Sequence, residues 1–371
     1  MNIIIAGDFC PKDRVSCIIE KGDYSSVFGG VKEVISSSDY SIVNFECPVV
    51  KECSAPIDKI GPNLKCGPQG LESIKWAGFD CVTLANNHFY DYGENGVADT
   101  LETCRSLNID YVGGGKNLKE ASAVLYKHIG GKTLAIINCC EHEFSIATSK
   151  SGGANPLNPV QQFYAIQRAK GEADYVVVIV HGGHEHWQLP SPRMQETYRF
   201  FIDAGADVVV NHHQHCYSGY EVYNERPIFY GLGNFCFDRP DKRNSLWNQG
   251  YLVRLNLDFD VSWEIIPYNQ CNIEPRVVIL VKDSFNDKLE NLNEVITTSD
   301  RLVYETNKYY TSCAKQYSNI FEPLSNKLYL VCKHRGWLPS LITKRKKLKA
   351  KNYICCEAHR DKLLWWLNNK L

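Results

Sequence analysis

Short continuous apolar runs, each bounded by turn residues, occur at Ile3–Ala6, Tyr40–Phe45, Cys81–Ala85, Thr133–Cys139, Tyr175–Val180 and Ala206–Val210. Their length and β-branched content predict buried strands. Between several of them apolar residues recur at helical spacing, as in Val97–Leu107, in Leu71–Ala77 before Gly78 and in Met194–Ala204 before Gly205. Alternating strand and helix predicts a sheet with helical cover. From Ser218 the pattern changes to strand and turn, with Gly219–Tyr223, a turn at Asn224-Glu225, Pro227–Tyr230, then Tyr251–Leu257 and Val261–Ile266 around Asp258-Phe259-Asp260. This predicts an antiparallel edge or a second sheet. Beyond about Pro275 the chain is lysine-rich and mainly helical, with candidate helices near Asp283–Thr297 and Asp300–Ser318 and a final segment Ile354–Leu371. These shifts divide the chain into a first domain, residues 1–270, and a helical accessory region, residues 271–371, expected to act as a cap or as the surface for a protein partner.

A chain of 371 residues can bury a large core. Lysine and arginine number 41 against 42 aspartates and glutamates, which argues against a nucleic-acid coat or a membrane-surface protein, since both rely on excess positive charge. No apolar stretch approaches the roughly 20 residues needed to span a bilayer. Met1 to Asp8 enters a strand at once without a basic region or cleavage site, so the expected location is cytoplasmic. The 16 cysteines are scattered without any C-x-x-C pair, which predicts reduced core thiols rather than a disulfide framework.

Six of the 11 histidines fall between His181 and His215. They come in two bursts, each following a strand-like run: Val176 to Val180 then His181-Gly182-Gly183-His184-Glu185-His186, and Val208 to Asn211 then His212-His213-Gln214-His215. A side chain just past a buried strand leaves the ladder from a fixed backbone, so imidazoles from neighbouring strands can converge on one ion where open α/β sheets bind ligands. Three other strand ends carry suitable groups: Gly7-Asp8, Asn44-Phe45-Glu46 and Ala85-Asn86-Asn87-His88. Carboxylate, amide oxygen and imidazole together suit manganese, iron or zinc, and a carboxylate can bridge two such ions about 3.5–4 Å apart.

The succession Gly7-Asp8, Asn44 to Pro48, Ala85 to Gly93, His181 to Glu185, Asp203 to Asp207 leading to His213-Gln214-His215, and Tyr230 to Phe235 resembles the CapA (poly-γ-glutamate capsule synthesis) family of the calcineurin-like metallophosphoesterase superfamily, over about residues 1–267. The resemblance implies a four-layer α/β/β/α sandwich and one or two divalent transition metal ions. It implies that Asp8 and His215 hold one metal and that Asn87, His181 and His213 hold the second, with Glu46 at the bridging position. His88 would assist the leaving oxygen and Asp91 would orient His88, while Glu185 would support the ligands. The chain departs from the superfamily's first Asp-x-His motif, with Cys10 at the third place, from the bridging aspartate, with Glu46, and from the glycine and proline of the last motif, with Asn211 and Gln214.

His184 could line the pocket, Asn234 lies in the matched Tyr230 to Phe235 stretch, and Arg193, after the turn Leu189 to Pro192, could meet an anionic substrate or form a surface ion pair. Glu141-His142-Glu143 follows the strand Thr133–Cys139 and could reach the same face but reads rather as loop structure, and the basic run Lys344 to Lys349 could contact a membrane or an acidic polymer but reads rather as a solvated helix face. The expected function is hydrolysis of a phosphoester or related linkage, in an anionic small molecule or polymer, in bacterial capsule or cell-surface polymer synthesis. The alternatives are amide-bond or proton-transfer chemistry on the same site, or a non-catalytic polymer-binding scaffold.

Overall fold

The computed structural model describes residues 1–52, 54–280, 283–318, 331, 332, 335, 337 and 343–370. One sheet contains β1 (Asn2–Cys10), β2 (Tyr40–Phe45), β3 (Cys81–Thr83), β4 (Asp110–Val112), β13 (Asn234–Phe237), β14 (Gln249–Leu257), β15 (Val261–Gln270) and β16 (Val277–Ile279). Its order is β16-β15-β14-β1-β2-β3-β4, with β13 pairing along the end of β1. The second contains β6 (Leu125–Ile129), β7 (Lys132–Cys140), β9 (Tyr175–His181), β10 (Val208–His212), β11 (Tyr220–Tyr223) and β12 (Arg226–Phe229), in the order β11-β12-β10-β9-β7-β6. A small pair, β5 (Gly114–Gly115) and β8 (Gly153–Ala154), stands apart.

The uninterrupted apolar runs are explained by burial on both sheet faces. Ile3 and Ile5 of β1 meet Val177 and Ile179 of β9 in a core between the sheets. Ile4 and Ala6 face the other way, into a core with Val15, Phe28, Leu71, Ile74, Val97 and Leu101 from the helices Arg14–Ile19, Tyr24–Phe28, Gln69–Ala77 and Gly93–Ser106. Val176, Val178 and Val180 point outward to Ile166, Ala169, Met194, Tyr198 and Phe201 on the helices Pro159–Glu172 and Pro192–Asp203. The layers are therefore α/β/β/α. The strand-and-turn region contributes to both sheets, the β11–β12 hairpin to the edge of one and the β14–β15 hairpin beside β1 in the other.

Several expectations are corrected. The run at Cys81–Ala85 leaves the sheet after Thr83, and Ala85 N–H instead donates to Asn138 Oδ1. The helix Pro159–Glu172 and the strands β4 and β6 had no counterpart in the pattern, β6 being an edge strand of mixed polarity. The final segment is not one helix: Lys344–Cys355 ends at Cys356, whose backbone is extended, and Glu357–Lys370 begins anew, while Leu371 lies outside the described residues. The helix Asp283–Thr297 sends Phe285 and Leu289 into the core between the sheets. Among the described residues no helix is long and apolar enough to cross a membrane. The described cysteines are free thiols, most of them buried.

Candidate metal centre

β1, β2 and β3 run parallel, as do β7, β9 and β10, so the residues that follow each strand leave the sheets at one end. On β1 a register shift between Ala6 and Asp8 turns the carboxylate inward. Gly7 makes this feasible, because a Cβ there would lie 1.8 Å from the Gly233 carbonyl oxygen. After β10, His213 and His215 adopt positive φ values of 94° and 55°. Such strain costs about 1–3 kcal/mol per residue and persists where the surroundings enforce it, commonly at functional sites. Here it brings both rings into the space between the sheets.

The result is two ligand groups that share one side chain. Asp8, Glu46 and His215 each offer an atom, all within 4.8 Å of one another, and so do Glu46, His181 and His213. Glu46 Oε1 lies 3.7 Å from His215 Nε2 and 3.8 Å from His181 Nε2. Asn87 joins the second group, its Oδ1 3.1 Å from His181 Nε2, and His213 Nδ1 lies 3.1 Å from the same nitrogen. The orientation of His215 is set from behind: Asn234 Nδ2 donates to the carbonyls of His215 and Trp247, which turns its Oδ1 to accept from His215 Nδ1 at 2.9 Å. Nε2 is then the bare nitrogen that faces Glu46.

The electrostatics suit a cation. Both carboxylate oxygens of Glu46 are buried without a hydrogen-bond partner among the described residues. Burial, then the nearby Asp8, drives this carboxyl far above its ordinary range. Burial likewise pushes Asp8 up to about 6, against the hydrogen bonds from Asn44 and the His213 backbone. Burial and the neighbouring histidines hold His181 well below its ordinary value, and burial brings His212 and His215 down to about 3. Without a cation the cluster favours a protonated Glu46 and neutral rings at His181, His212 and His215. A divalent ion would reverse the first preference and use the second, since it needs neutral imidazole and ionised carboxylate ligands.

Beside this cluster His88 Nδ1 donates to Asp91 Oδ2 at 2.7 Å, and Leu64 N–H donates to the same oxygen. Lys59 pairs with Asp91 and lies 3.0 Å from His88 Nδ1, its side chain almost fully buried. Burial and then the Lys59 cation lower the His88 pKa, and Nε2 has no hydrogen-bond partner among the described residues. Glu185 keeps part of its surface in solvent while its carboxyl is closely surrounded; that enclosure pushes the carboxyl up, but His213, His215, His186 and His88 outweigh it and bring it down to about 2. Arg193 bridges Glu141 at 2.6 Å and Asp361 at 2.7 Å. His184 is buried, its Nε2 3.0 Å from the Tyr310 hydroxyl on the helix Ser299–Ser318.

The pattern missed Lys59, in a turn-rich stretch without periodicity, and gave no ligand role to His212 of the second burst, which is buried at the end of β10 with Nδ1 3.9 Å from Asp8. The C-terminal helices lie near the site, and Glu143, weighed as a loop residue, reaches it: its Oε2 accepts from Asn87 Nδ2 at 3.0 Å.

Residues 2–239 match the family described as bacterial capsule synthesis protein PGA_cap. The chain belongs to this family. It is 35% identical over 247 residues to the capsule biosynthesis protein CapA of Bacillus anthracis, covering 64% of this chain and 60% of that one. It is 34% identical over 242 residues to the PGA biosynthesis protein CapA of Bacillus subtilis, covering 64% of each. The matched part thus spans less than two thirds of either relative. A solved phosphatase from Mycoplasma pneumoniae aligns with 72% of this chain and 92% of its own at a TM-score of 0.46 and 15% identity.

Proposed function

We propose that this PGA_cap protein is a metal-dependent hydrolase that cleaves a phosphoester or related linkage during synthesis of a bacterial capsule or cell-surface polymer. The observation that carries the reading is Glu46, a buried carboxylate with two unpartnered oxygens between two groups of imidazole and carboxylate ligands. An uncompensated buried carboxylate is costly, and an ion on each side would offset that cost. Asp8, Glu46 and His215 would hold one divalent ion, manganese, iron or zinc, and Glu46, Asn87, His181 and His213 the other. Ions held there would lower the pKa of a bound water and neutralise charge on a phosphoryl group.

The chain's own residues supply the rest. Asp91 fixes the His88 ring through Nδ1, which leaves Nε2 for proton transfer. Burial and Lys59 keep that ring neutral at rest. An arriving phosphoryl anion favours the imidazolium, so the ring becomes charged as the leaving oxygen comes to need a proton. Asn234 positions His215, Glu185 adds negative charge near the histidines, and the pathway assignment rests on the family.

The test uses metal-stripped protein reloaded with manganese and assayed on a panel of phosphomonoesters, phosphodiesters and γ-glutamyl peptides. Metal-restored phosphoester hydrolysis is the expected result, and His181→Ala should lower metal content with the fold intact. Full metal occupancy in that variant sinks the ligand assignment. Undiminished polymer binding by the metal-free protein, with no turnover of any substrate, favours a scaffold.

A further inference from the structure

A third ligand group lies where the C-terminal helices meet the domain. Glu143, in the loop after β7, Cys356, between the helices Lys344–Cys355 and Glu357–Lys370, and His359, in the first turn of the latter, offer atoms all within 4.8 Å of one another. His359 Nε2 is 3.8 Å from Glu143 Oε1. Cys356 is buried, and its Sγ makes a weak 3.8 Å contact with Glu141 Oε2. The break between the two helices places its thiol beside a carboxylate and an imidazole that come from more than 200 residues away in sequence and from the next helix.

We propose that Glu143, Cys356 and His359 form a third metal site, which takes a borderline ion such as zinc. Sulfur, nitrogen and oxygen ligands in one tetrahedral shell are zinc chemistry, with bonds of about 2.0–2.3 Å that put neighbouring ligand atoms some 3.5 Å apart. The atoms here need to close by about 1.3 Å at most. The thiol proton passes to solvent on binding, and a fourth position stays open for water or a ligand. The set differs from the two groups around Glu46, which contain no sulfur. Its place also gives it a consequence. Glu143 Oε2 accepts from Asn87, so the ion would clamp the C-terminal helices to the loop that steadies a ligand of the neighbouring group.

The experiment titrates cobalt(II) into the metal-stripped full chain. Wild type should develop a near-ultraviolet sulfur-to-cobalt charge-transfer band. Cys356→Ser should lose that band and bind one equivalent less, and His359→Gln should weaken it. Asp8→Asn and Cys10→Ser should keep it, whether or not the Glu46 groups bind metal, so this site and the hydrolase reading succeed or fail separately. Cobalt binding by wild type without the band overturns the proposal, and the wild-type spectrum decides the matter even where a variant fails to fold. So does a band that survives Cys356→Ser and vanishes in Cys10→Ser.

Discussion

Replacing Lys59 is the sharpest way to ask what His88 does. The cation lies against both His88 and Asp91, and its charge helps to hold the imidazole neutral. Lys59→Met removes that charge and leaves Asp91 facing the ring, so the His88 pKa should rise. If protonated His88 assists the leaving oxygen, the alkaline limb of the kcat profile should move to higher pH while metal content is unchanged. Breaking this buried pair costs about 3–5 kcal/mol, so rates should be read well below the variant's Tm. His88→Ala should also keep its metal but lose about 10²–10⁴-fold in kcat, most with a poor leaving group. Loss of metal from His88→Ala would make it a ligand, and an unmoved profile in Lys59→Met would show that Lys59 does not act through the ring. The candidate ligands were legible because each lies at or just past the end of an apolar run whose backbone the sheet fixes. Lys59 was not, because nothing in a turn-rich loop indicates which partner, here 29 residues on, it will meet.

At the scale of elements, the contact between the Glu141-His142-Glu143 loop and the helix Glu357–Lys370 should depend on pH. His142 Nδ1 donates to Glu357 Oε1 at 2.6 Å, and this bond raises the His142 pKa above its ordinary 6.5. Burial pushes Glu357 up, but hydrogen bonds from the His142 side chain and backbone outweigh it and bring the carboxyl below its ordinary 4.5. A raised histidine gives stability that is complete below 6.5 and is lost as pH climbs through its folded value. A lowered carboxyl gives stability that is complete above 4.5 and is lost as pH falls through its folded value. The contribution of this pair to the protection of the C-terminal helices from limited proteolysis, read without metal as the difference between wild type and His142→Gln, should therefore be greatest between about 4.5 and 6.5. His142→Gln should remove the loss on the alkaline side, and an unchanged profile in that variant would show that the pair does not hold the helices down. The helix Pro159–Glu172 shows a different limit of the pattern. Its start was written in the sequence, since Pro159 occupies the first turn and the Asn158 side chain accepts from Val160 and Gln161 N–H. Its buried face is narrow and interrupted by polar residues such as Gln162, so no strong apolar period marks the rest.

For the whole molecule, the change of composition near residue 270 is a poor guide to where the fold can be cut. Phe285 and Leu289 pack in the core between the sheets, with the Phe285 ring 4.6 Å from that of Tyr217, and Ile296 and Leu302 extend the outer core. Each such side chain contributes about 1.5–3 kcal/mol when buried. Together the four approach the 5–15 kcal/mol by which a typical domain is stable. A chain ending at Gln270 should therefore fail to fold stably even though it holds every strand but β16. A chain ending at Ser318 keeps all four apolar side chains and loses Cys356, His359 and Asp361. It should melt cooperatively and retain the ligands around Glu46, while Arg193, left with Glu141 alone, becomes more exposed. Thermal melts and metal analysis of the two truncated proteins check this. Cooperative, near-native melting of the shorter chain would show that the helix Asp283–Thr297 only decorates the sandwich, and loss of the Glu46-site metals from the longer one would show that the last two helices are needed to build that centre.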